Sequence, residues 1–262
     1  MEAPAARTAP AGGSRNREVS GSMSFQSLQR EAFQLNQAIY EHGLALLTWG
    51  NASLHDRDRG VMAIKPSGVS AARLKEEDIV VLSIEDGRTL AGALRPSSDT
   101  PTHLYLYRAF AGVGAIIHTH STHATAWAQA GQAIPCFGTT HADHFNGAVP
   151  VTRPMRPDEI QHDYEENTGR VIAECFATHA LDAGQMPGVL VHGHGPFAWG
   201  EDGRHALDNA VALEEIARLA WYTRAINPAA SPIAPYLLEK HFTRKHGPAA
   251  YYGQATGGER DS

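Results

Sequence analysis

Two pairs of histidines, each with one residue between its members, follow apolar runs typical of buried strands. His118 and His120 follow an Ala-Ile-Ile run, and His192 and His194 follow a Val-Leu-Val run. Because residues i and i+2 of a strand face the same side, each pair presents two imidazoles in parallel. Imidazole is the most common metal ligand in proteins, although a single pair is as readily two hydrogen-bonded histidines. Two such pairs together predict a site for a divalent cation.

A carboxylate that suits this site is Asp99, in the segment Arg-Pro-Ser-Ser-Asp-Thr-Pro that ends at Pro101. The alternative is that Asp99 caps a helix, since Asp and Thr before proline are typical of a helix N-terminus. Three imidazoles and one carboxylate would leave a zinc site with a net charge of +1. Such a site polarises a carbonyl group and stabilises an enediolate, which is worth several kcal/mol in a transition state.

Three loops of small residues offer the hydroxyls and backbone amides that hold a phosphate group. Each loop alone is more often an ordinary turn, and Lys65 adds a positive charge to one of them. The sequence contains neither of the common nucleotide-binding glycine motifs, so a nucleotide is not expected. Beside a cation, the loops predict a phosphorylated small molecule. Their candidate binding residues are Gly50, Asn51, Ser67, Gly68, Ser97 and Ser98.

Candidates for proton transfer lie at two further places. Asp143 follows the polar stretch Thr-Thr-His-Ala and suits a general acid or base, but an exposed loop residue or an Asx turn is the alternative. Tyr251 and Tyr252 lie near the C-terminus, where a hydroxyl can donate a proton to a developing alkoxide or simply pack. From the residues alone, we expect a metal-dependent enzyme that acts on a phosphorylated carbonyl compound.

The elements that must position these residues alternate between helix and strand. Apolar residues recur every three or four positions in 24–41, which predicts an amphipathic helix. Short apolar runs bounded by Gly, Pro and Asp predict strands. This order favours one α/β domain with a sheet covered by helices. We predict strands at 46–49, 61–64, 79–84, 115–117 and 188–191, and further helices from Thr100 onward and at 157–178, 203–226 and 234–246.

Composition narrows the class of protein. Of the 262 residues, 42% are hydrophobic, which is enough for a substantial core, and the net charge of −6 argues against nucleic acid as a partner. No apolar run reaches the roughly 18 residues that span a membrane. Cys136 and Cys175 stand far apart, which favours a reducing, cytoplasmic location. Residues 1–22, rich in small residues, Pro and Gly, predict a disordered N-terminal arm, and Met23 is an alternative start.

The chain resembles the class II aldolase/adducin superfamily, and within it the L-ribulose-5-phosphate 4-epimerases. The resemblance extends from Phe25 to Gln254, and the aspartate of PSSDTPTHL favours epimerases because aldolases typically have glutamate there. His144 and Asn146 depart from the family pattern, in which tyrosines are expected beside Asp143. The matching segments are LTWGNAS, IKPSGV, PSSDTPTHL, HTHSTHATAWAQAG, GTTHADHF, VLVHGHGPFAWG and KHGPAAYYGQ.

The resemblance implies a mainly antiparallel β-sheet covered by helices on both faces, in one catalytic domain of residues 23–254 with a disordered tail at 255–262. It implies a zinc ion, with His192 as a neighbour, and the phosphate and substrate loops named above. It also implies Asp143 and Tyr252 as the two acid/base residues. Tyr252 would come from a neighbouring subunit of a homotetramer. The implied metal ligands are Asp99, His118, His120 and His194.

The implied reaction interconverts L-ribulose 5-phosphate and D-xylulose 5-phosphate by breaking and re-forming the C3–C4 bond through a metal-bound enediolate. One alternative is a class II aldolase that releases the two fragments. Another is a non-enzymatic, adducin-like interaction module, which would lack metal ligands. Arabinose-type and ascorbate-type pathways would use the same reaction, so the sequence leaves the pathway open.

Overall fold

A seven-stranded sheet forms the centre of the computed structural model, which describes residues 24–247 and 250–251. All its neighbouring strands are antiparallel, in the order β4-β3-β2-β1-β5-β7-β6. The predicted antiparallel sheet is therefore confirmed. The strands are β1 Asn51–Asp56, β2 Val61–Ile64, β3 Val80–Ser83, β4 Thr89–Ala91, β5 Ala115–His118, β6 Gly188–Leu190 and β7 Pro196–Gly200.

Eight α-helices accompany the sheet within the described residues, together with two short 3-10 turns at Ala71–Arg73 and Glu76–Asp78. The helices predicted at 24–41, 203–226 and 234–246, and the one predicted to begin near Thr100, are confirmed with small shifts of their ends. The helices are α1 Gln26–Glu41, α2 Thr100–Ala109, α3 Thr122–Gln129, α4 Thr139–Ala142, α5 Pro157–Gln161, α6 Tyr164–Thr178, α7 Gly203–Ile226 and α8 Pro235–Lys245.

Helices cover both faces of the sheet. On one face, Leu54 of β1 and Leu35 of α1 lie against Gly203, the first residue of α7. On the other face, the Trp199 ring of β7 lies 5.2 Å from that of Phe110, after α2, and 5.3 Å from that of Phe176 of α6. The core is thus two layers of apolar side chains, one on each side of the sheet.

The pairing of β1 with β5 decides which side chains share the α2/α6 face. Asn51 lies opposite His118, and Ser53 lies opposite Ile116. The Ser53 hydroxyl is 2.7 Å from His103 Nδ1 on α2, so this alternating set faces α2. Because side chains alternate along a strand, Asn51 and His118 project toward the same face. The ends of β1 and β5 therefore bring an amide and an imidazole together.

The strand predicted at 46–49 is wrong, because this segment forms a turn before β1. Leu47 has a left-handed backbone with φ of 54°, and the Leu46 and Trp49 side chains are exposed. The Tyr40 hydroxyl donates to the carbonyl of Leu47 or of Trp49, at 3.1 and 3.3 Å. The apolar run in 46–49 has the composition of a strand. In the structure, however, the Tyr40 hydroxyl contacts the backbone carbonyls of this segment, and the Leu46 and Trp49 side chains face the solvent.

The single helix predicted at 157–178 is also wrong, since it is divided into α5 and α6. Asp163 interrupts it with a left-handed backbone, φ 51° and ψ 43°. The Asn167 amide donates to the carbonyls of Glu159 and His162 across the break, which satisfies groups that a continuous helix would have paired. The break makes Tyr164 the first residue of α6.

The described residues contain no helix long and apolar enough to cross a membrane. Cys136 and Cys175 are both buried and unbridged. The predicted N-terminal arm, the predicted tail and Tyr252 lie outside the described residues.

Candidate metal centre and active site

Three imidazoles meet at the end of β5. His118 is the last residue of β5, His120 follows two positions later, and His194 lies in the turn between β6 and β7. Their ring centroids are 4.8–5.1 Å apart, and one nitrogen from each lies within 4.8 Å of the others. This is the arrangement that three histidines need to bind one cation. His192 lies outside this group, with its Nε2 where a side chain on Gly131 would be.

Hydrogen bonding and burial prepare these imidazoles for a cation. His118 Nδ1 is 2.9 Å from the Pro196 carbonyl, and because a carbonyl only accepts, Nδ1 carries the proton. In the neutral imidazole Nε2 then keeps its lone pair, as a metal ligand requires. Burial, followed by the repulsion that a protonated His118 would exert, lowers the pKa of His194 to about 3 and also lowers that of His120. Both rings are therefore neutral near pH 7.

Asp99 directly precedes α2 but makes no capping hydrogen bond with its side chain. Its Oδ2 instead accepts a hydrogen bond from Asn51 Nδ2 at 2.6 Å. Burial raises the pKa of Asp99, but His118, His103 and the Asn51 bond outweigh it and hold the pKa below its ordinary value. Asp99 thus lines the histidine cavity as a carboxylate, although it is not among the three groups that lie within 4.8 Å of one another.

The candidate phosphate loops border the same cavity, whose volume is about 430 Å³. Two of them are tied together, since Ser67 N–H donates to the Arg95 carbonyl and Ser97 N–H donates to the Lys65 carbonyl, both at 3.0 Å. The structure therefore brings all the sequence-predicted binding residues to the three histidines and Asp99. Those residues are Gly50, Asn51, Ser67, Gly68, Ser97 and Ser98.

Gly50 has no room for a side chain. Its φ is +77°, and a Cβ added there would lie 2.9 Å from the His118 carbonyl oxygen. A glycine at this position lets the turn before β1 lie directly against the strand that carries the first metal-ligand candidate.

Lys65 is buried in the wall of this cavity, with its amine 3.5 and 3.4 Å from the Thr48 and Pro66 carbonyls. Burial lowers the pKa of this amine, and the charge on Asp99 opposes the change. These long hydrogen bonds to neutral carbonyls offset only part of the cost of burying the ammonium. An anion bound in the cavity would therefore interact favourably with it.

Two further residues of the cavity, Tyr164 and Glu165, were not predicted from the sequence. They are the first two residues of α6, and the Tyr164 hydroxyl lies 3.3 Å from His194 Nδ1. The sequence did not point to these two residues because they belong to no motif. The break at Asp163, which makes them the start of α6, does not interrupt the apolar periodicity from which the helix was predicted.

Asp143 lies in a different place, in the wall of a second cavity of about 750 Å³. Arg244 of α8 donates to both of its carboxylate oxygens, at 3.0 and 2.6 Å, and His241 Nδ1 lies 3.0 Å from Oδ1. Burial raises the pKa of Asp143, but these hydrogen bonds outweigh it and hold the pKa below its ordinary value. Within one chain, the structure does not bring Asp143 to the three histidines.

The two departures from the family pattern flank Asp143 and leave the histidine cavity untouched. His144 lines the second cavity beside Asp143, and burial lowers its pKa. Asn146 is exposed and donates to the Gln185 side chain at 2.8 Å. Neither residue contributes to the wall around the three histidines.

A seven-stranded antiparallel sheet with an imidazole triad at the end of β5 defines the class of protein. The family described as the Class II Aldolase and Adducin N-terminal domain matches residues 30–221. The chain belongs to this family.

Individual proteins with known names are also similar to this chain. The chain is 53% identical to L-ribulose-5-phosphate 4-epimerase UlaF of Salmonella paratyphi B and 52% identical to that of Salmonella typhi, over 87% of this chain and 99% of each relative. Among solved structures, it resembles an L-fuculose 1-phosphate aldolase with a TM-score of 0.71 and 25% identity, over 83% of this chain and 95% of that one. The L-fuculose-1-phosphate aldolase of Thermus thermophilus matches with a TM-score of 0.60 and 25% identity, over 78% and 99%.

Proposed function

We propose that this chain is an L-ribulose-5-phosphate 4-epimerase, which interconverts L-ribulose 5-phosphate and D-xylulose 5-phosphate. The observation that carries the proposal is one cavity that combines three imidazoles, a carboxylate and two serine-containing loops. The identity of 53% to a relative with this name, over nearly all of that relative, supports the same assignment.

The donor set fits zinc. His118, His120 and His194 would provide three imidazole nitrogens, and Asp99 would provide a carboxylate oxygen, a combination that a divalent cation of intermediate softness prefers. When bound, the cation supplies positive charge that stabilises negative charge developing on a nearby carbonyl oxygen. Asn51 supports the fit, since its Nδ2 bonds to Asp99 while its buried Oδ1 has no partner among the described residues.

The chemistry of the substrate determines what the chain must do. The carbonyl is at C2, so the hydrogen on C4 is not acidic and simple deprotonation cannot invert that carbon. A base instead takes the proton of the C4 hydroxyl, and the C3–C4 bond breaks. The aldehyde fragment turns and is attacked on its other face, while an acid returns a proton to the new hydroxyl.

The loops would keep the two fragments together. Hydroxyls of Ser67 and Ser97, backbone amides beside them and the Lys65 ammonium would bind the phosphate, and this bond would retain the aldehyde fragment while it turns. Exclusion of water would protect the reactive fragment. The substrate therefore needs a phosphate, which agrees with the printed names of the relatives.

Asp143 and Tyr252 would exchange the protons. The hydrogen bonds from Arg244 and His241 keep Asp143 ionised, which suits a base in the first proton transfer. Since Asp143 does not line the histidine cavity of its own chain, it would have to reach the substrate from a neighbouring copy. This separation supports the proposed homotetramer with active sites between subunits. The cytoplasmic location and the role of Tyr252 stay predictions.

A class II aldolase that releases the fragments is the second candidate. The structural likeness to L-fuculose 1-phosphate aldolases favours it, because the same fold and cavity suit both reactions. An adducin-like interaction module is disfavoured, since every predicted metal ligand is present in one cavity.

The test is to incubate zinc-loaded protein with L-ribulose 5-phosphate and to follow the sugars by NMR, with a chelator-treated control. We expect D-xylulose 5-phosphate to appear without free two-carbon fragments, and the chelator to abolish its formation. Accumulation of free fragments would identify an aldolase instead. No turnover by a folded, metal-loaded protein would contradict the proposed substrate.

A further inference from the structure

Tyr164 is placed to control one of the candidate metal ligands. Its hydroxyl lies 3.3 Å from His194 Nδ1, and the two rings are stacked with centroids 6.2 Å apart. The side chain is half-buried in the wall of the histidine cavity. None of the steps proposed above assigns Tyr164 a role.

The contact determines which nitrogen of His194 a cation can take. A cation takes an unprotonated nitrogen, and a neutral imidazole has only one. When Nδ1 of His194 carries the proton and donates it to the Tyr164 oxygen, Nε2 keeps the lone pair; when the Tyr164 hydroxyl donates to Nδ1 instead, Nε2 carries the proton. At His118 the Pro196 carbonyl can only accept, so Nδ1 is the donor there, and two of the three imidazoles have an oxygen partner on this nitrogen.

The backbone that carries Tyr164 is held at the start of α6. Thr168 donates its hydroxyl to the Tyr164 carbonyl at 2.9 Å, and Thr102 of α2 donates its hydroxyl to the Glu165 carbonyl. Thr102 lies three residues after Asp99, so α2, which begins directly after the candidate carboxylate, also fixes the segment that contacts His194. A backbone fixed in this way places the Tyr164 side chain beside His194 before the metal arrives.

We propose that Tyr164 is a positioning residue for His194: it holds the Nδ1-protonated form of the imidazole and so presents Nε2 to the cation. The inference rests on the proposed metal site. It concerns a residue that no sequence motif identifies, and it predicts an effect on metal binding that is measurable without any substrate.

The experiment compares Tyr164→Phe with Tyr105→Phe, which removes a tyrosine hydroxyl from α2 at a residue outside the wall of the cavity. Zinc affinity is measured by competition with a chromogenic chelator, and the cobalt-loaded proteins are compared by visible absorption. For Tyr164→Phe we expect zinc affinity to fall by about 10–100-fold, the usual effect of losing a partner of a metal-bound histidine, with shifted cobalt bands. Tyr105→Phe should match the unmodified protein in both measurements.

A measurement on the unmodified, metal-free protein avoids any dependence on how the variant folds. Nitrogen-15 NMR of the imidazoles, with His194→Gln to assign the signals, should show the proton of His194 on Nδ1. A proton on Nε2, or zinc affinity and cobalt bands of Tyr164→Phe equal to those of the unmodified protein, would overturn the role of Tyr164 alone. Failure of the unmodified protein to bind zinc would overturn the metal site and, with it, this inference.

Discussion

Charge at single residues decides what the histidine cavity binds. The imidazoles of His120 and His194 are kept neutral mainly by burial, whereas Asp99 stays ionised because His118, His103 and Asn51 outweigh its burial. A divalent cation beside one carboxylate leaves a net charge of +1. That remaining charge, close to the serine loops and Lys65, favours a phosphorylated substrate over a neutral sugar.

Replacement of Asp99 by Asn tests its role as a ligand. The amide oxygen of Asn can still accept the hydrogen bond from Asn51, so the fold should persist while the negative charge is lost. We expect zinc affinity to fall by at least the roughly 10–100-fold seen when a metal ligand loses its partner. Asp58→Asn, in the exposed turn between β1 and β2, makes the same change of charge and should leave affinity unaltered. Equal affinities in a chelator competition would remove Asp99 from the ligand set.

Replacement of Asp143 by Asn separates proton transfer from metal binding. Because Asp143 lies outside the histidine cavity of its own chain, zinc content should remain one ion per chain. Epimerisation should slow by about 10²–10⁴-fold, the range for loss of a general acid or base. Asp208→Asn, exposed in the same second cavity, is the matched control. Unchanged turnover of Asp143→Asn, measured by NMR, would show the assignment to be wrong.

At the scale of single residues, the sequence identified the chemical groups of the site but not the distances between them. The HxH spacing and the Pro-Ser-Ser-Asp segment predicted residues that do meet in one cavity. Whether Asp99 capped a helix could not be decided, because capping and ligation use the same residue type at the same position. Tyr164 was missed, since the contact with His194 depends on a helix break that periodicity does not reveal.

Among the secondary-structure elements, α2 packs against α6, whose first two residues line the histidine cavity. The two helices approach closely at Gly169, where an added Cβ would lie 2.7 Å from Cβ of Tyr105 and 3.2 Å from the Thr102 carbonyl. Thr102 also holds the start of α6 by its hydroxyl. The spacing of these helices therefore determines where Tyr164 stands relative to His194.

Substitution of Gly169 by Ala should separate the two helices. Alanine gains about 1 kcal/mol in helix propensity, but overpacking costs typically 1–3 kcal/mol, and the Tyr105 Cβ cannot move without its backbone. We expect a net loss of up to about 2 kcal/mol in the free energy of unfolding, together with weaker zinc binding. Denaturant unfolding provides the measurement. Gly138→Ala, where a Cβ meets nothing within 4 Å, should change stability far less, and an equal or greater loss there would contradict the packing argument.

Sequence periodicity predicted four strands and four helices whose burial follows the strand or helical period, namely β2, β3, β5, β6, α1, α2, α7 and α8. It made no prediction for β1, β4, β7, α3 and α4, most of which are short. It failed at 46–49, where apolar side chains are exposed and a tyrosine hydroxyl contacts the backbone carbonyls. It failed again at Asp163, since one left-handed residue divides α5 from α6 without disturbing the apolar pattern. These two wrong predictions border the histidine cavity, where side-chain hydrogen bonds to backbone carbonyls hold the chain.

For the whole molecule, buried neutral histidines make stability depend on pH. Burial lowers the pKa of His103 to about 3 and of His141 to about 4, against about 6.5 in the unfolded chain. Below pH 6.5 the unfolded state therefore binds protons that the folded state does not. Stability is fully present above pH 6.5 and is lost as the pH falls toward 4, by roughly 2 kcal/mol for each group at pH 5.

Denaturant unfolding at pH 7 and pH 5, with a chelator present, measures this loss. His141→Gln should reduce the difference between the two pH values, because it removes one of the groups. A free energy of unfolding that is equal at both pH values would contradict the neutral state of the buried imidazoles.

The pairing of Asn51 with His118, and of His118 with Phe197, also links metal capture to folding kinetics. A slip of one residue in either ladder would turn the imidazole to the opposite face of the sheet, away from His194. The ligands come from distant parts of the chain, so their meeting must wait for slow, non-local strand pairing. Cation binding during refolding would therefore report only those molecules in which β1, β5 and β7 have reached their native register.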